Sequence, residues 1–205
     1  MIIAKNISKK FGTINVINNF SMKTETGEFI AITGDSGKGK TTLLNILGLL
    51  EKPSNGSITF LNKENPSKKE TMLLQRHKIG YLFQNYALIE NESVKNNLNL
   101  ALKYRKDINK NEEIKKSLSY VNLDNFENKK IYELSGGEQQ RVALARILVK
   151  DCSYIFADEP TGNLDRRNRD IVFDILKDLN SMGKTILYVT HDEELANQAN
   201  SRILL

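Results

Sequence analysis

Gly34-Asp35-Ser36-Gly37-Lys38-Gly39-Lys40-Thr41-Thr42 fits G-x-x-x-x-G-K-[ST], the pattern of a phosphate-binding loop. An apolar, β-branched run, Phe29-Ile30-Ala31-Ile32-Thr33, leads into it, and a helical pattern, Leu43-Leu44-Asn45-Ile46-Leu47, leads out. That strand–loop–helix setting is what gives the pattern meaning. Glycines let the backbone curl until successive N–H groups point inward at an anion. The following helix adds the positive end of its dipole. Lys40 is placed to reach β- and γ-phosphates, and the Thr41 hydroxyl to ligate Mg²⁺. At ordinary glycine usage the pattern arises by chance in roughly one chain in a hundred of this length. The rest of the chain is therefore read for the other parts of a nucleotide hydrolase.

The 205 residues suffice for one buried core with a subdomain. No apolar run approaches the roughly 18 residues of a membrane span, and Met1-Ile2-Ile3-Ala4-Lys5-Asn6 lacks the layout of a secretory signal. Cys152 is the only cysteine, which excludes a disulfide framework and a cysteine-rich metal site. These features point to the cytoplasm. The net charge of +5 is scattered in pairs such as Lys9-Lys10 and Lys68-Lys69. No nucleic-acid partner is expected from so dispersed a charge.

In chain order, residues 2–8, 14–24 and 28–33 read as strands, the first two forming an antiparallel layer. Phe11 precedes a glycine and presents either a core residue of that layer, the reading favoured by the residues alone, or a stacking face for a base. The phosphate-loop helix is predicted from about Thr41 to Leu50. A strand Ser57–Leu61, a helix about Lys68–His77 and a buried strand Ile79–Phe83 follow. That strand ends at Gln84, at the edge where α/β folds bind ligands. Residues 91–133 turn polar and helical in period, with Val94, Leu98 and Ala101 on one face and Ile114, Leu118 and Val121 on another. They are expected to form an inserted lobe.

Leu134-Ser135-Gly136-Gly137-Glu138-Gln139-Gln140-Arg141 opens the next helix, predicted over Gln139–Val149. Ser135 and Glu138 have capping-box spacing. A cap does not require two glycines in the first turn, where each costs helix stability; bare backbone N–H groups would make a second anion-binding helix end. Tyr154-Ile155-Phe156-Ala157-Asp158-Glu159 is an apolar strand ending in two carboxylates, Asp158 suited to Mg²⁺ and Glu159 to polarising a water. Helix Arg167–Met182 stops at Gly183. Strand Lys184–Thr190 ends at His191; a lone histidine is usually structural or solvated, and at the carboxyl end of a core strand the alternative is a hydrogen bond to a γ-phosphate. Helix Asp192–Ala199 and the tail Ile203-Leu204-Leu205 finish the chain.

GDSGKGKTT at 34–42, Gln84 after YLF, LSGGEQQR at 134–141, YIFADE at 154–159, GNLD at 162–165 and His191 occur in one order across nearly the whole chain. Together they resemble the ATP-binding-cassette ATPase family. The resemblance implies an α/β fold: a phosphate-loop NTPase core (about 1–90 and 150–205), an antiparallel β layer and an inserted α-helical subdomain (about 91–149). It implies a head-to-tail homodimer with ATP sandwiched at the interface. Gly34, Asp35, Ser36, Gly37, Lys38, Gly39, Lys40, Thr41 and Thr42 would bind ATP in cis; Ser135, Gly136, Gly137 and Glu138 would complete the site in trans. Glu159 would be the general base. His191 would hold the γ-phosphate and align the water. Thr41 and Gln84 would ligate Mg²⁺, Asp158 acting through water, and Asp165 would couple the two sites. Phe11 falls where the family carries an adenine-stacking aromatic, which reverses the core reading.

Two positions depart from the family pattern. Lys38 stands where many members carry Ser, and Phe11 where many carry Tyr. The chain also ends soon after His191, so a final strand or two is expected to be missing and no regulatory C-terminal extension is expected. Gly48–Pro53 and Phe83–Ile89 resemble the macrolide-exporter and lipoprotein-release branch. The implied task is to power export of a peptide, bacteriocin or hydrophobic compound through an integral membrane permease on a separate chain, from the cytoplasmic face of the membrane. Lipoprotein release, or regulation of cell-wall hydrolysis at division, are the alternative tasks. Cassettes that act on ribosomes or DNA usually carry two cassettes or long coiled-coil insertions, and neither is present.

Overall fold

Phe29-Ile30-Ala31-Ile32-Thr33 is buried at every position, as a strand covered on both faces must be. The structure, a computed structural model, describes residues 1–205. This strand, β3 (Phe29–Thr33), lies inside a five-stranded parallel sheet with β6 (Ile79–Leu82), β7 (Tyr154–Asp158), β8 (Thr185–Val189) and β9 (Ser201–Leu204), in the order β6-β7-β8-β3-β9. A second, antiparallel sheet contains β1 (Ile2–Phe11), β2 (Ile14–Thr24), β4 (Asn55–Phe60) and β5 (Lys63–Glu64), in the order β2-β1-β4-β5. The fold is the mixed α/β arrangement that the sequence predicts.

Helix α1 (Lys40–Leu47) lies between the two sheets. Its Leu43, Leu44, Ile46 and Leu47 share one buried apolar cluster with Ile2, Ile7 and Phe60 of the antiparallel layer and Ile30, Ile32, Leu187 and Val189 of the parallel sheet. It ends at Leu47, capped by Gly48, three residues short of the predicted end at Leu50. Helix α2 (Lys68–His77) has the predicted limits, set by a capping box between Ser67 and Glu70.

The other face of the parallel sheet carries α3 (Val94–Ala101), α4 (Lys110–Tyr120), α5 (Gly136–Lys150) and α6 (Arg166–Ser181). Val94 and Leu98 of α3 and Ile114 and Leu118 of α4 are fully buried, on the faces their spacing predicts. They belong to one apolar cluster of 30 residues that also contains Ala31, Leu82, Ile155, Ala157 and Tyr188 of the sheet. The lobe has no separate core: α5 packs on α3, on α4 and on β6, joining lobe and sheet.

Two further predicted limits are corrected. Helix α5 starts at Gly136, not Gln139, because the Ser135–Glu138 box caps it there and draws both glycines into its first turn. The helix predicted over Asp192–Ala199 shortens to α7 (Glu193–Ala196). The apolar tail lies in a strand: β9 pairs in parallel with β3, Ile203 opposite Ile32.

Candidate functional site

Parallel strands in register deliver their carboxyl ends to one edge. Leu82 of β6 pairs with Ala157 of β7, Asp158 of β7 with Val189 of β8, and Val189 with Ile32 of β3. The residues just beyond, Gln84, Glu159, His191 and the loop after Thr33, therefore share that edge. They line a cleft of about 510 Å³ together with Ser36, Gly37, Gly39, Lys40, Thr41 and Thr42.

The loop 34–42 is already curled around its own lysine. Gly34, Gly37 and Gly39 have φ of 138°, 80° and 87°, values that side chains disfavour. Gly39 has a further reason: a Cβ there would lie 2.5 Å from Val16 Cγ1. The Lys40 ammonium is buried and donates to the carbonyls of Gly34 (2.9 Å) and Asp35 (2.8 Å). Asp35 and Lys38 are exposed and lie outside the cleft lining.

Two carboxylates face this loop. Thr41 Oγ1 donates to Asp158 Oδ1 at 3.1 Å. Glu159 Oε1 lies 3.0 Å from His191 Nε2. Glu159 follows β7 with φ of 46°, an uncommon conformation for a residue with a side chain, and such outliers gather at functional sites. Burial raises both carboxyls above their usual range; at Glu159 the facing His191 opposes this and the neighbouring Asp158 adds to it. If Glu159 must be ionised to act as a base, kcat/KM rises with pH through its free-enzyme value. The acid limb of a pH–rate profile is expected to have its midpoint above 4.5, the ordinary value for glutamate; a midpoint at or below 4.5 would contradict this.

Phe11 ends β1 and is 49% exposed, so it is not a core residue. The Lys9 ammonium sits 5.0 Å from its ring centroid and is anchored by Glu51 (2.8 Å) and the Lys52 carbonyl (2.8 Å). Removing the ring by Phe11→Ala is expected to raise KM for ATP about tenfold, the scale of base–aromatic stacking. An unaltered KM for both ATP and GTP would show that no base stacks there.

The residues Ser135, Gly136, Gly137 and Glu138 are not part of this cleft. Ser135 caps α5, its Oγ accepting from Glu138 N, while Glu138 Oε2 accepts from Ser135 N at 2.8 Å. Ser135 and Glu138 line a separate cavity of about 430 Å³ with Arg141, Arg167 and Asn168. Ser135 and Gly136 are exposed, whereas Gly137 is buried. A Cβ on Gly137 would meet Asn168 Cγ at 2.5 Å, so this glycine also serves the packing of α5 on α6. Asn168 in turn donates to Asp165 Oδ2 (2.6 Å) and accepts from Arg141 (2.5 Å). Asp165 caps α6, and these hydrogen bonds from Asn168 hold its carboxyl below its usual range.

Several neighbours of the site escaped the sequence reading. Val16 sits against the phosphate loop although it reads only as a strand residue. Gln140 is buried and donates to the Pro160 carbonyl at 2.5 Å, bracing the loop after Glu159 from α5.

A curled loop at a helix N-terminus, its lysine buried, beside two desolvated carboxylates at the end of a parallel sheet, defines a phosphate-loop nucleotide hydrolase. Residues 17–162 match the family described as ABC transporter, and the chain belongs to that family as an ATP-binding, ATP-hydrolysing domain. It is 44% identical over 203 residues to the macrolide export ATP-binding/permease protein MacB of Campylobacter jejuni subsp. jejuni (strain 81-176), a match that covers 97% of this chain and 32% of that protein. The chain thus spans about a third of the length of the MacB relatives. It is 42% identical over 199 residues to the lipoprotein-releasing system ATP-binding protein LolD of Aquifex aeolicus, covering 94% of this chain and 88% of that protein. Among solved structures, it is similar to the dimeric ATP-binding cassette MJ0796 bound to ADP and Pi, with a TM-score of 0.91, 36% identity, and coverage of 100% of this chain and 94% of that one.

Proposed function

We propose that the chain works as one half of an ATP-driven dimeric motor whose two copies share their nucleotide sites. The observation that carries this reading is the separation of its two anion-binding helix ends. The phosphate loop opens into one cleft, while the N-terminus of α5, at Ser135 and Glu138, borders another. Each copy therefore holds a half-site of each kind, and head-to-tail pairing brings the unlike halves together. The dimeric form of MJ0796 supports that arrangement.

In the closed dimer, Lys40 exchanges its carbonyl partners for β- and γ-phosphate oxygens. Phe11 stacks on the base. Glu159 accepts the proton of the attacking water, and His191 orients that water and the γ-phosphate. Ser135, Gly136, Gly137 and Glu138 of the other copy close the site, with Asp165 at the interface. No group of three or more His, Cys, Asp or Glu side chains is placed to cage a metal. Mg²⁺ does not need one, because it takes few protein oxygens and completes its shell with phosphate and water. The Thr41–Asp158 contact and Gln84 at the same cleft supply suitable oxygens. Thr41 and Gln84 would hold Mg²⁺, with Asp158 acting through water. Bound there, the ion would neutralise charge on the β- and γ-phosphates.

No helix of the chain is long and apolar enough to cross a membrane. The groove between sheet and lobe, about 540 Å³, exposes Met72, Leu100 and Tyr104 beside Phe83, next to Gln84. We assign it to an integral membrane permease on a separate chain, bound at the cytoplasmic face. The driven process is export of a hydrophobic compound, peptide or bacteriocin. The coverage of LolD favours lipoprotein release as the second reading. Purification from native membranes, with identification of the co-purifying protein, tests this; recovery without any membrane-spanning partner would refute it.

A further inference from the structure

Arg146 lies nearly three turns into α5 and forms no salt bridge; burial lowers the pKa of its guanidinium. Its Nη2 donates to the Tyr86 carbonyl at 2.9 Å, and its Nη1 donates to the Ala87 carbonyl. Both residues have positive φ, 63° and 47°, although both carry side chains. A backbone held in that conformation needs an outside restraint. Tyr86 also reaches the other end of the same helix: a Cβ on Gly136 would lie 3.1 Å from its hydroxyl. Positions 136 and 146 are about 15 Å apart along the helix. One residue is thus held at its backbone by Arg146 and laid along α5 to the helix N-terminus.

We propose that Arg146 is a positioning residue that fastens the Gln84 turn to α5, so that Gln84 and the exposed N-terminus of α5 move as one body. Arg146 lines the groove assigned to the permease, with Phe83, Ala87 and Tyr104. A partner pressing on the groove would then shift a cis ligand and a trans half-site together. The part concerning Gln84 rests on the assignment of that residue to Mg²⁺; the part concerning the turn does not.

The test uses Arg146→Met, which keeps the stem and loses the donors, and Arg146→Lys, which keeps one charged donor. Amide hydrogen exchange of Tyr86 and Ala87, which donate to Phe83 O (2.9 Å) and Asn85 O (2.6 Å), reads the turn directly. Arg146→Met is expected to speed their exchange at least tenfold, with the sheet strands unchanged and with Mg²⁺-free ATP affinity within twofold. It is also expected to raise the Mg²⁺ concentration for half-maximal hydrolysis about tenfold, the scale of a lost residue behind a metal ligand. Arg146→Lys should recover part of both. Unchanged exchange in Arg146→Met, or in Arg146→Ala if the Met variant does not fold, overturns the proposal. Gln84→Ala separates the two readings. If it leaves the Mg²⁺ dependence untouched, the Gln84 assignment fails and exchange alone judges Arg146. If it shifts the Mg²⁺ dependence and Arg146→Met does not, the link from Arg146 to Gln84 fails.

Discussion

Glu159→Gln is expected to bind ATP, to hydrolyse it about 10²–10⁴-fold more slowly, and to accumulate as an ATP-bound dimer. The amide keeps the shape of the side chain and its contact with His191, 3.0 Å away, but cannot accept a proton. Nothing in the phosphate loop changes, because the Lys40 contacts are made to Gly34 and Asp35. The fold should also survive. Burial already disfavours the charged form of Glu159, so a neutral amide removes a cost without opening a cavity. Size-exclusion chromatography with ATP reads the dimer, and phosphate release reads the rate. A variant that stays monomeric and turns over at the wild-type rate would remove Glu159 from the base role and undo the sandwich reading.

Lys40→Ala is expected to lose nucleotide binding by about 10²–10⁴-fold. The side chain is buried at 6% exposure, and its ammonium is the one cation held inside the curled loop. Each charge-assisted hydrogen bond it would give a phosphate contributes about 1.5–3 kcal/mol, and two are within its reach. The alanine also frees the Gly34 and Asp35 carbonyls, so the loop loses the restraint that holds it curled before nucleotide arrives. Both effects act on affinity more than on turnover, which separates this variant from Glu159→Gln. Equilibrium binding of a fluorescent ATP analogue measures it, and an unchanged affinity would refute the assignment of residues 34–42 to phosphate.

Much of this site is legible residue by residue. The glycines and Lys40 announce a phosphate loop, and the ends of three apolar strands carry Gln84, Glu159 and His191. Parallel pairing of those strands is enough to bring their ends to one edge. Phe11 was ambiguous because an aromatic at a strand end serves a core or a ligand equally well; its exposure decides against the core. Lys38 is exposed, and its ammonium makes no hydrogen bond or salt bridge. Gly137 was read for its bare N–H, yet its Cβ space is taken by Asn168, a contact between helices whose sequence spacing carries no hint of it.

What short-range chemistry governs is legible in the sequence: most of the segments that form strands and helices, and the residues that follow each strand. Tertiary structure decided which distant segments meet. The tail became β9 beside β3, Arg146 took hold of the turn after Gln84, and Ser135 was turned to a cavity apart from its own phosphate loop. The physical reason is that periods of 2 and 3.6 record which face of an element is buried. Strand order and the seating of the lobe record against what, and those are set by the packing of the whole chain.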